Sequence, residues 1–144
     1  MTLPERIVVD ASVALKWIIE EDGSAEAARL RSCNMAAPAL LRIETANVLR
    51  TLAAKGAIDS ASAADLFALL QDAPVTIVDA DDALEARALE LAVRLGHPVY
   101  DCVYLALAER TDRTLITADK RFLRALAGSA PVASALNLTD LQQD

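Results

Sequence analysis

The sequence predicts an α/β fold in which a mostly parallel sheet is packed between helices. Short runs rich in Val and Ile alternate along the chain with longer segments of helical periodicity. The 144 residues show no internal repeat, linker or low-complexity tract. Hydrophobic residues make up 54% of them, which is enough for one buried core. We therefore expect a single domain that spans residues 1–144.

In the first half of the chain, capping residues and helix-ending residues separate the predicted elements. Ser12 and Ser24 are candidate N-caps, and Lys55-Gly56 is typical of a helix end. Pro38 separates the second strand from the helix that follows. The predicted strands are 7–9 and 35–37, and the predicted helices are 11–19, 25–32 and 40–54.

The second half continues the alternation. Asp79, Asp81 and Asp82 open a helix, and we interpret them as caps and partners of the helix dipole. Thr139 is a candidate cap of a terminal turn. The predicted strands are 75–78, 115–117 and 132–133, and the predicted helices are 60–70, 83–95, 98–108 and 120–127.

Composition excludes several classes of protein. A net charge of -7 argues against a general basic surface for nucleic acid, although Arg42, Arg50, Lys120 and Arg121 lie near acidic residues in the sequence and are candidate RNA contacts. The sequence contains no apolar run long enough to span a membrane and its first residues do not resemble a signal peptide, so we expect a cytoplasmic protein with no membrane partner.

The two cysteines predict neither a disulfide nor a zinc site. Cys33 and Cys102 are far apart in the sequence and lie outside any paired motif. We expect Cys102 to be a small core residue.

The most informative segment is the helix at 98–108, which is apolar on nearly all sides. Asp101 shares one of its faces with Tyr104, Leu105 and Ala108, at spacings of three, four and seven residues. That face should be buried. A carboxylate removed from water needs a cation or hydrogen-bond donors, because its desolvation costs several kcal/mol.

Three further acids occur where a parallel sheet could bring them to Asp101. Asp10 ends the first strand, Asp119 ends the strand at 115–117, and Glu44 lies beside the apolar stripe of its helix. Two carboxylates about 4 Å apart repel each other by roughly 4 kcal/mol at an effective dielectric near 20. Such a cluster favours a hard cation, Mg²⁺ or Mn²⁺, and hydrolysis of a phosphodiester.

A non-catalytic interpretation stays open at this point. Each acid taken alone could cap a helix, end a turn or pair with an arginine, and the chain would then be an interaction domain with structural ion pairs. A haloacid-dehalogenase-like phosphatase needs an aspartate where Ser12 stands, and a receiver-type module needs paired acids at Asp10. No nucleophile elbow indicates a serine hydrolase, and His97 is predicted to be a loop residue.

Four motifs resemble those of PIN-domain ribonucleases, in particular the VapC-type toxins. They cover nearly the whole chain in the expected order: Val8-Val9-Asp10-Ala11-Ser12, Glu44 with Asn47, the segment 100–108 around Asp101, and Thr117-Ala118-Asp119-Lys120-Arg121-Phe122. The resemblance implies a PIN-like three-layer sandwich with about five parallel strands.

The resemblance also implies roles for individual residues. The acidic quartet of the family corresponds to Asp10, Glu44, Asp101 and Asp119, and these residues would be catalytic and would hold Mg²⁺, with Mn²⁺ as a substitute. Its accessory positions correspond to Ser12, Asn47 and Thr117. The implied activity is that of an endoribonuclease toxin. The implied partners are an RNA substrate, a second copy in a homodimer and a cognate antitoxin, which together could form a larger toxin–antitoxin assembly.

Overall fold

A five-stranded sheet forms the centre of the protein in a computed structural model that describes residues 2–128 and 134–141. Its strand order is β3-β2-β1-β4-β5, and every neighbouring pair is parallel. The strands are β1 Arg6–Val9, β2 Asn34–Pro38, β3 Val75–Val78, β4 Thr114–Thr117 and β5 Ala135–Asn137. This confirms the predicted α/β class, with its mostly parallel sheet of about five strands.

The order of the strands sets where a site can form. Strand β1 is central, with β2 on one side of it and β4 on the other, and Val9 pairs with Ile116. The chain therefore reverses its direction of winding between β1 and β4. Open parallel sheets bind ligands at the carboxyl ends of the strands at such a reversal. Asp10, which follows β1, and Asp119, which follows β4, both lie at this edge.

Seven α-helices are present in the described ranges, and α6 is the most deeply buried of them. It packs against β1, β2 and β4, and α5 packs along it. Cys102 and residues 104–108 of α6 are all buried, as the apolar sequence predicts. The helices are α1 Ala11–Ala14, α2 Ser24–Arg29, α3 Leu40–Ala54, α4 Ser60–Gln71, α5 Asp82–Leu95, α6 Val99–Thr111 and α7 Lys120–Ala127.

The prediction for the first helix is wrong in two respects. The α-helix ends at Ala14 and continues as a 3₁₀ turn, Leu15–Trp17, instead of reaching Ile19. Its N-cap is Asp10 and not Ser12, because Asp10 has extended backbone and its side chain accepts the N–H of Val13. Because the carboxylate of Asp10 already occupies the cap, the hydroxyl of Ser12 donates to that carboxylate instead.

Two other predicted caps are also wrong. Gly23, with φ of +92°, caps α2, and Ser24 is the first helical residue, because its hydroxyl closes the preceding turn with Ile19 and Glu21. In the terminal 3₁₀ turn, Leu138–Asp140, the cap is Asn137, whose Oδ1 accepts both the N–H and the hydroxyl of Thr139.

The remaining elements follow the predicted order. Helix α3 ends before Lys55 and Gly56, and Asp81 caps α5 by accepting the N–H of Leu84. The strand predicted at 132–133 lies outside the described residues, and the last strand seen is Ala135–Asn137. None of the helices that the structure describes has the length and apolarity needed to cross a membrane.

Candidate active site

All four predicted acids line one small cavity at the carboxyl edge of the sheet. We call it the acidic cavity; its volume is about 240 Å³. It lies at the reversal between β1 and β4, where the topology predicts a site. Its lining is Asp10, Ala11, Ser12, Leu15, Glu44, Val48, Asp101 and Asp119.

Asp10 is the most buried of the four acids, with only 4% of its surface exposed. Its carboxylate accepts the hydroxyl of Ser12 at 2.6 Å, the N–H of Val13 at 3.2 Å and the hydroxyl of Thr117. Burial raises the pKa of Asp10 to about 6, although the three hydrogen bonds oppose that effect. The negative charge of Asp101 raises it further. The site therefore holds a carboxylate whose charge a nearby cation would stabilise.

The two predicted hydroxyls are both part of this arrangement. Thr117 is completely buried at the end of β4, and its Oγ1 accepts the N–H of Asp119 at 3.1 Å while it donates to Asp10. Ser12 donates to Asp10 and accepts the N–H of Ala118 at 2.9 Å. Because each hydroxyl bonds to both strand ends, Asp10 and the loop that carries Asp119 are held in one geometry.

Glu44 reaches the acidic cavity from α3, beside the buried stripe of Leu41, Thr45 and Leu49. The hydroxyl of Tyr104, a fully buried residue of α6, donates to Oε1 of Glu44 at 2.5 Å. Burial raises the pKa of Glu44, the Tyr104 bond opposes this, and the charge of Asp101 adds to it. Burial, followed by the charge of Glu44, raises the pKa of Tyr104, so the phenol keeps the proton that it donates.

Asp101 lies in the first turn of α6, and its surroundings differ in part from the prediction. Tyr104, Leu105 and Ala108 of its stripe are buried, but the Asp101 side chain is 23% exposed because it faces the acidic cavity. Its partner is His97, with 2.6 Å between Nε2 and Oδ2. Among residues 2–128 and 134–141, no lysine or arginine pairs with any of the four acids.

Asp119 is the N-cap of α7. Its Oδ1 accepts the N–H groups of Arg121 and Phe122 at 2.9 and 3.3 Å. This leaves Oδ2 without a hydrogen bond from the described residues. The same holds for Oε2 of Glu44 and Oδ1 of Asp101, so three carboxylate oxygens are available to a ligand.

The other predicted residues are less closely placed. Asn47 is exposed on α3 and does not line the acidic cavity. Arg50, Lys120 and Arg121 are exposed and Arg42 is half-buried, and none of the four lines the cavity. Lys120 and Arg121 follow Asp119 directly in sequence, so they lie nearer to it than Arg50 does to Glu44.

Sequence reasoning missed two side chains that contact the quartet. His97 is in the turn before α6, as predicted, but its ring pairs with Asp101. Its spacing of four residues from Asp101 was the available signal. Tyr104 was recognised only as part of the buried stripe, and its hydroxyl holds Glu44. A buried tyrosine hydroxyl usually needs a partner, which is the signal that could have identified it.

The carboxylate oxygens of the acidic cavity are the kind of ligand that a hard divalent cation prefers, but the described side chains, as placed, are not arranged to coordinate one. In the part of the chain that the structure describes, no three His, Cys, Asp or Glu side chains form a group that could hold a metal ion. The cavity nevertheless offers only oxygen donors, two of its carboxyls have raised pKa values, and no lysine or arginine of the described ranges pairs with its acids. A divalent ion would relieve this repulsion.

Comparison with known proteins gives matches to a family model and to solved structures. A family model described as the PIN domain matches residues 7–127. A search of curated proteins finds no match. The crystal structure of PAE2754 from Pyrobaculum aerophilum aligns with a TM-score of 0.71 at 21% identity, covering 94% of this chain and 85% of that one.

Two further solved structures are similar in fold. Mycobacterium tuberculosis VapC20, described as a sarcin-ricin loop cleaving toxin, has a TM-score of 0.65 at 19% identity, covering 83% of this chain and 94% of that one. A chain of DNA-bound VapBC from Salmonella typhimurium has a TM-score of 0.65 at 15% identity, covering 92% and 98%. At these identities the structures establish a common fold.

Proposed function

Because the chain belongs to the PIN-domain family, whose model spans residues 7–127, we propose that it is a metal-dependent endoribonuclease. In this proposal the acidic quartet is the catalytic site of a single nuclease domain, and the protein is the cytoplasmic toxin of a toxin–antitoxin pair. One observation carries the proposal: four carboxylates from four separate elements converge on one cavity, and no lysine or arginine of the described ranges neutralises them.

Glu44, Asp101 and Asp119 would hold the ion through their oxygens that accept no hydrogen bond, together with Asp10. The chemistry that Mg²⁺ or Mn²⁺ supplies when bound is a lower pKa for a water molecule and neutralisation of charge on a phosphate. Ser12 and Thr117 keep Asp10 in place, and Tyr104 keeps Glu44 in place. Preorganised groups of this kind need little rearrangement when charge develops on the substrate.

The alternative of a structural ion-pair network is less well supported. The described lysine and arginine bridges use other acids, such as Glu21, Asp81 and Glu109. Buried acids without such a partner cost stability, as the raised pKa values of Asp10 and Glu44 indicate. Proteins keep costly groups of this kind at functional sites more often than elsewhere.

Addition of Mn²⁺ should raise the melting temperature of the protein. An ion that binds only the folded state at 100 times its dissociation constant contributes about 2.7 kcal/mol, which corresponds to a shift on the order of 10 °C in a domain of this size. Differential scanning fluorimetry in EDTA and in millimolar Mn²⁺ measures it. The shift should vanish in Asp101→Asn and persist in Asp79→Asn, whose acid ends β3 outside the acidic cavity. A wild-type protein with no shift would exclude the metal site.

The proposed partners are RNA, a cognate antitoxin and a second copy of the chain. Several neighbours in fold are toxin–antitoxin complexes, including VapBC from Rickettsia felis and FitAB bound to DNA. An antitoxin arginine is suited to the acidic cavity, because a guanidinium grips a carboxylate through two hydrogen bonds. A homodimer, and a larger assembly with the antitoxin, belong to the same proposal.

RNA contact by Arg42, Arg50, Lys120 and Arg121 predicts a change in salt dependence. Each phosphate contact that is removed should reduce the slope of log K against log salt concentration by about 0.7–1. Binding is best measured in the Asp101→Asn background, in which RNA should stay intact. Arg6→Gln is the matched control, because Arg6 is exposed at the opposite end of β1. A slope that none of the four substitutions alters would remove these residues from the RNA-binding surface.

A further inference from the structure

His97 is the only histidine of the chain, and its ring is held by two different contacts. Its Nε2 lies 2.6 Å from Oδ2 of Asp101. Its ring stacks on that of Phe122, with 5.0 Å between the centroids and 21° between the planes. Phe122 is completely buried, and only 10% of the His97 side chain is exposed. The imidazole therefore lies between Asp101 of α6 and Phe122 of α7.

The backbone on both sides of His97 restricts where its ring can lie. Gly96 ends α5 with φ of +62°, a conformation that favours glycine. The N–H of His97 is bonded to the carbonyl of Ala92, and Pro98 begins the next helix. A left-handed residue before it and a proline after it leave this turn few alternative conformations.

The contact with Asp101 joins Nε2 of His97 to Oδ2. Because an ionised carboxylate can only accept, we assign the proton of this bond to Nε2. The bond occupies Oδ2 and leaves Oδ1 without a hydrogen bond from the described residues. The ring also rests on Phe122, whose N–H is bonded to Asp119. His97 thus contacts both Asp101 and Phe122, the residue whose N–H is bonded to Asp119.

From this geometry we propose that His97 is a positioning residue, which orients the Asp101 carboxylate so that Oδ1 is presented to a divalent cation. The inference rests on the proposed function and adds a residue outside the quartet. Partners that orient a metal-binding side chain from the second layer typically contribute 10–100-fold to affinity or activity. No proton transfer is assigned to His97.

A pair of substitutions separates hydrogen bonding from ring packing. His97→Phe keeps a ring against Phe122 and removes the donor. His97→Gln removes the ring and keeps an amide N–H at the same number of bonds from Cα. We expect His97→Phe to lose about 10–100-fold in Mn²⁺ affinity and in the single-turnover rate of RNA cleavage, and His97→Gln to stay close to wild type in both. The melting temperature of metal-free protein reports the stacking separately, and it should fall more for His97→Gln.

The opposite order of activities, with His97→Phe active and His97→Gln impaired, would show that only packing matters and would overturn the proposal. Two variants as active as wild type would overturn it as well.

A ring-nitrogen NMR spectrum supplies a readout that needs neither metal nor RNA. With one histidine in the chain, ¹⁵N-labelled imidazole gives one pair of ring signals. We expect a proton on Nε2 that exchanges slowly in metal-free wild type and rapidly in Asp101→Ala. A rapidly exchanging proton in wild type overturns the pairing. If the Nε2 proton exchanges slowly but the wild-type protein binds no Mn²⁺, both the proposed function and the positioning role are overturned. If the wild-type protein cleaves RNA and His97→Phe is equally active, only the positioning role is overturned.

Discussion

Replacement of Asp101 by asparagine should reduce RNA cleavage to below about a hundredth of the wild-type rate and leave the fold intact. The two side chains have nearly the same shape, so the change removes charge and little packing. Substitution of outer groups around a metal site already costs about 10–100-fold, and a direct ligand should cost more. The charge of Asp101 raises the pKa of both Asp10 and Glu44, so its loss also relieves repulsion in the metal-free protein.

Single-turnover cleavage of end-labelled RNAs in millimolar Mn²⁺, together with circular dichroism, measures both parts of this expectation. Asp79→Asn is the matched control, because Asp79 is an exposed strand-end acid outside the acidic cavity and should be dispensable. If Asp101→Asn fails to fold, the carboxylate is structural and the ion-pair alternative gains support. If the variant folds and cleaves normally, Asp101 is not part of the catalytic site.

The metal-free protein should lose stability as the pH rises from about 4 to 7. The pKa of Asp10 is about 6 in the folded protein and near its usual 3.8 in the unfolded chain. Between these values the folded state binds more protons, so the free energy of unfolding falls with increasing pH. At 1.36 kcal/mol per pKa unit, Asp10 accounts for a loss of roughly 3 kcal/mol. Glu44, whose pKa is also raised, acts in the same direction.

Urea denaturation in EDTA, followed by fluorescence of the single tryptophan Trp17, measures this dependence. Asp10→Asn should reduce the decline and be more stable than wild type at pH 7. Asp59→Asn should retain the full decline, because Asp59 is an exposed cap whose hydrogen bond to Ser62 lowers its pKa. A flat profile in wild type, or a decline of equal size in Asp10→Asn, would show that Asp10 is not held in a costly environment.

The sheet and the position of the four acids could be predicted because both depend on regular rules. Strand ends of a parallel sheet meet at one edge, so acids that follow strands, such as Asp10 and Asp119, fall together once the strand order is right. Glu44 and the buried residues of α6 followed from helical periodicity.

The contacts that hold those acids could not be predicted in the same way. The hydrogen bond from Thr117 to Asp10 joins residues that are 107 positions apart in the sequence, and the ring of His97 stacks on Phe122. Both depend on how two elements dock, which no local pattern encodes. Ser12 and Ser24 failed as caps for a related reason, because a neighbouring residue took the cap and their hydroxyls found other partners.

The strand order also has a consequence during synthesis. Thr117, at the end of β4, follows Asp10 by 107 positions of sequence, so β4 and Asp119 are made long after Asp10, and β4 must then insert beside β1 in the middle of the sheet. Contacts of such high sequence separation form late in folding. A nascent or truncated chain that lacks β4 contains Asp10 but lacks both Thr117 and Asp119. Under the proposed function, a polypeptide would therefore have a complete catalytic site only after β4 has been synthesised and has joined the sheet.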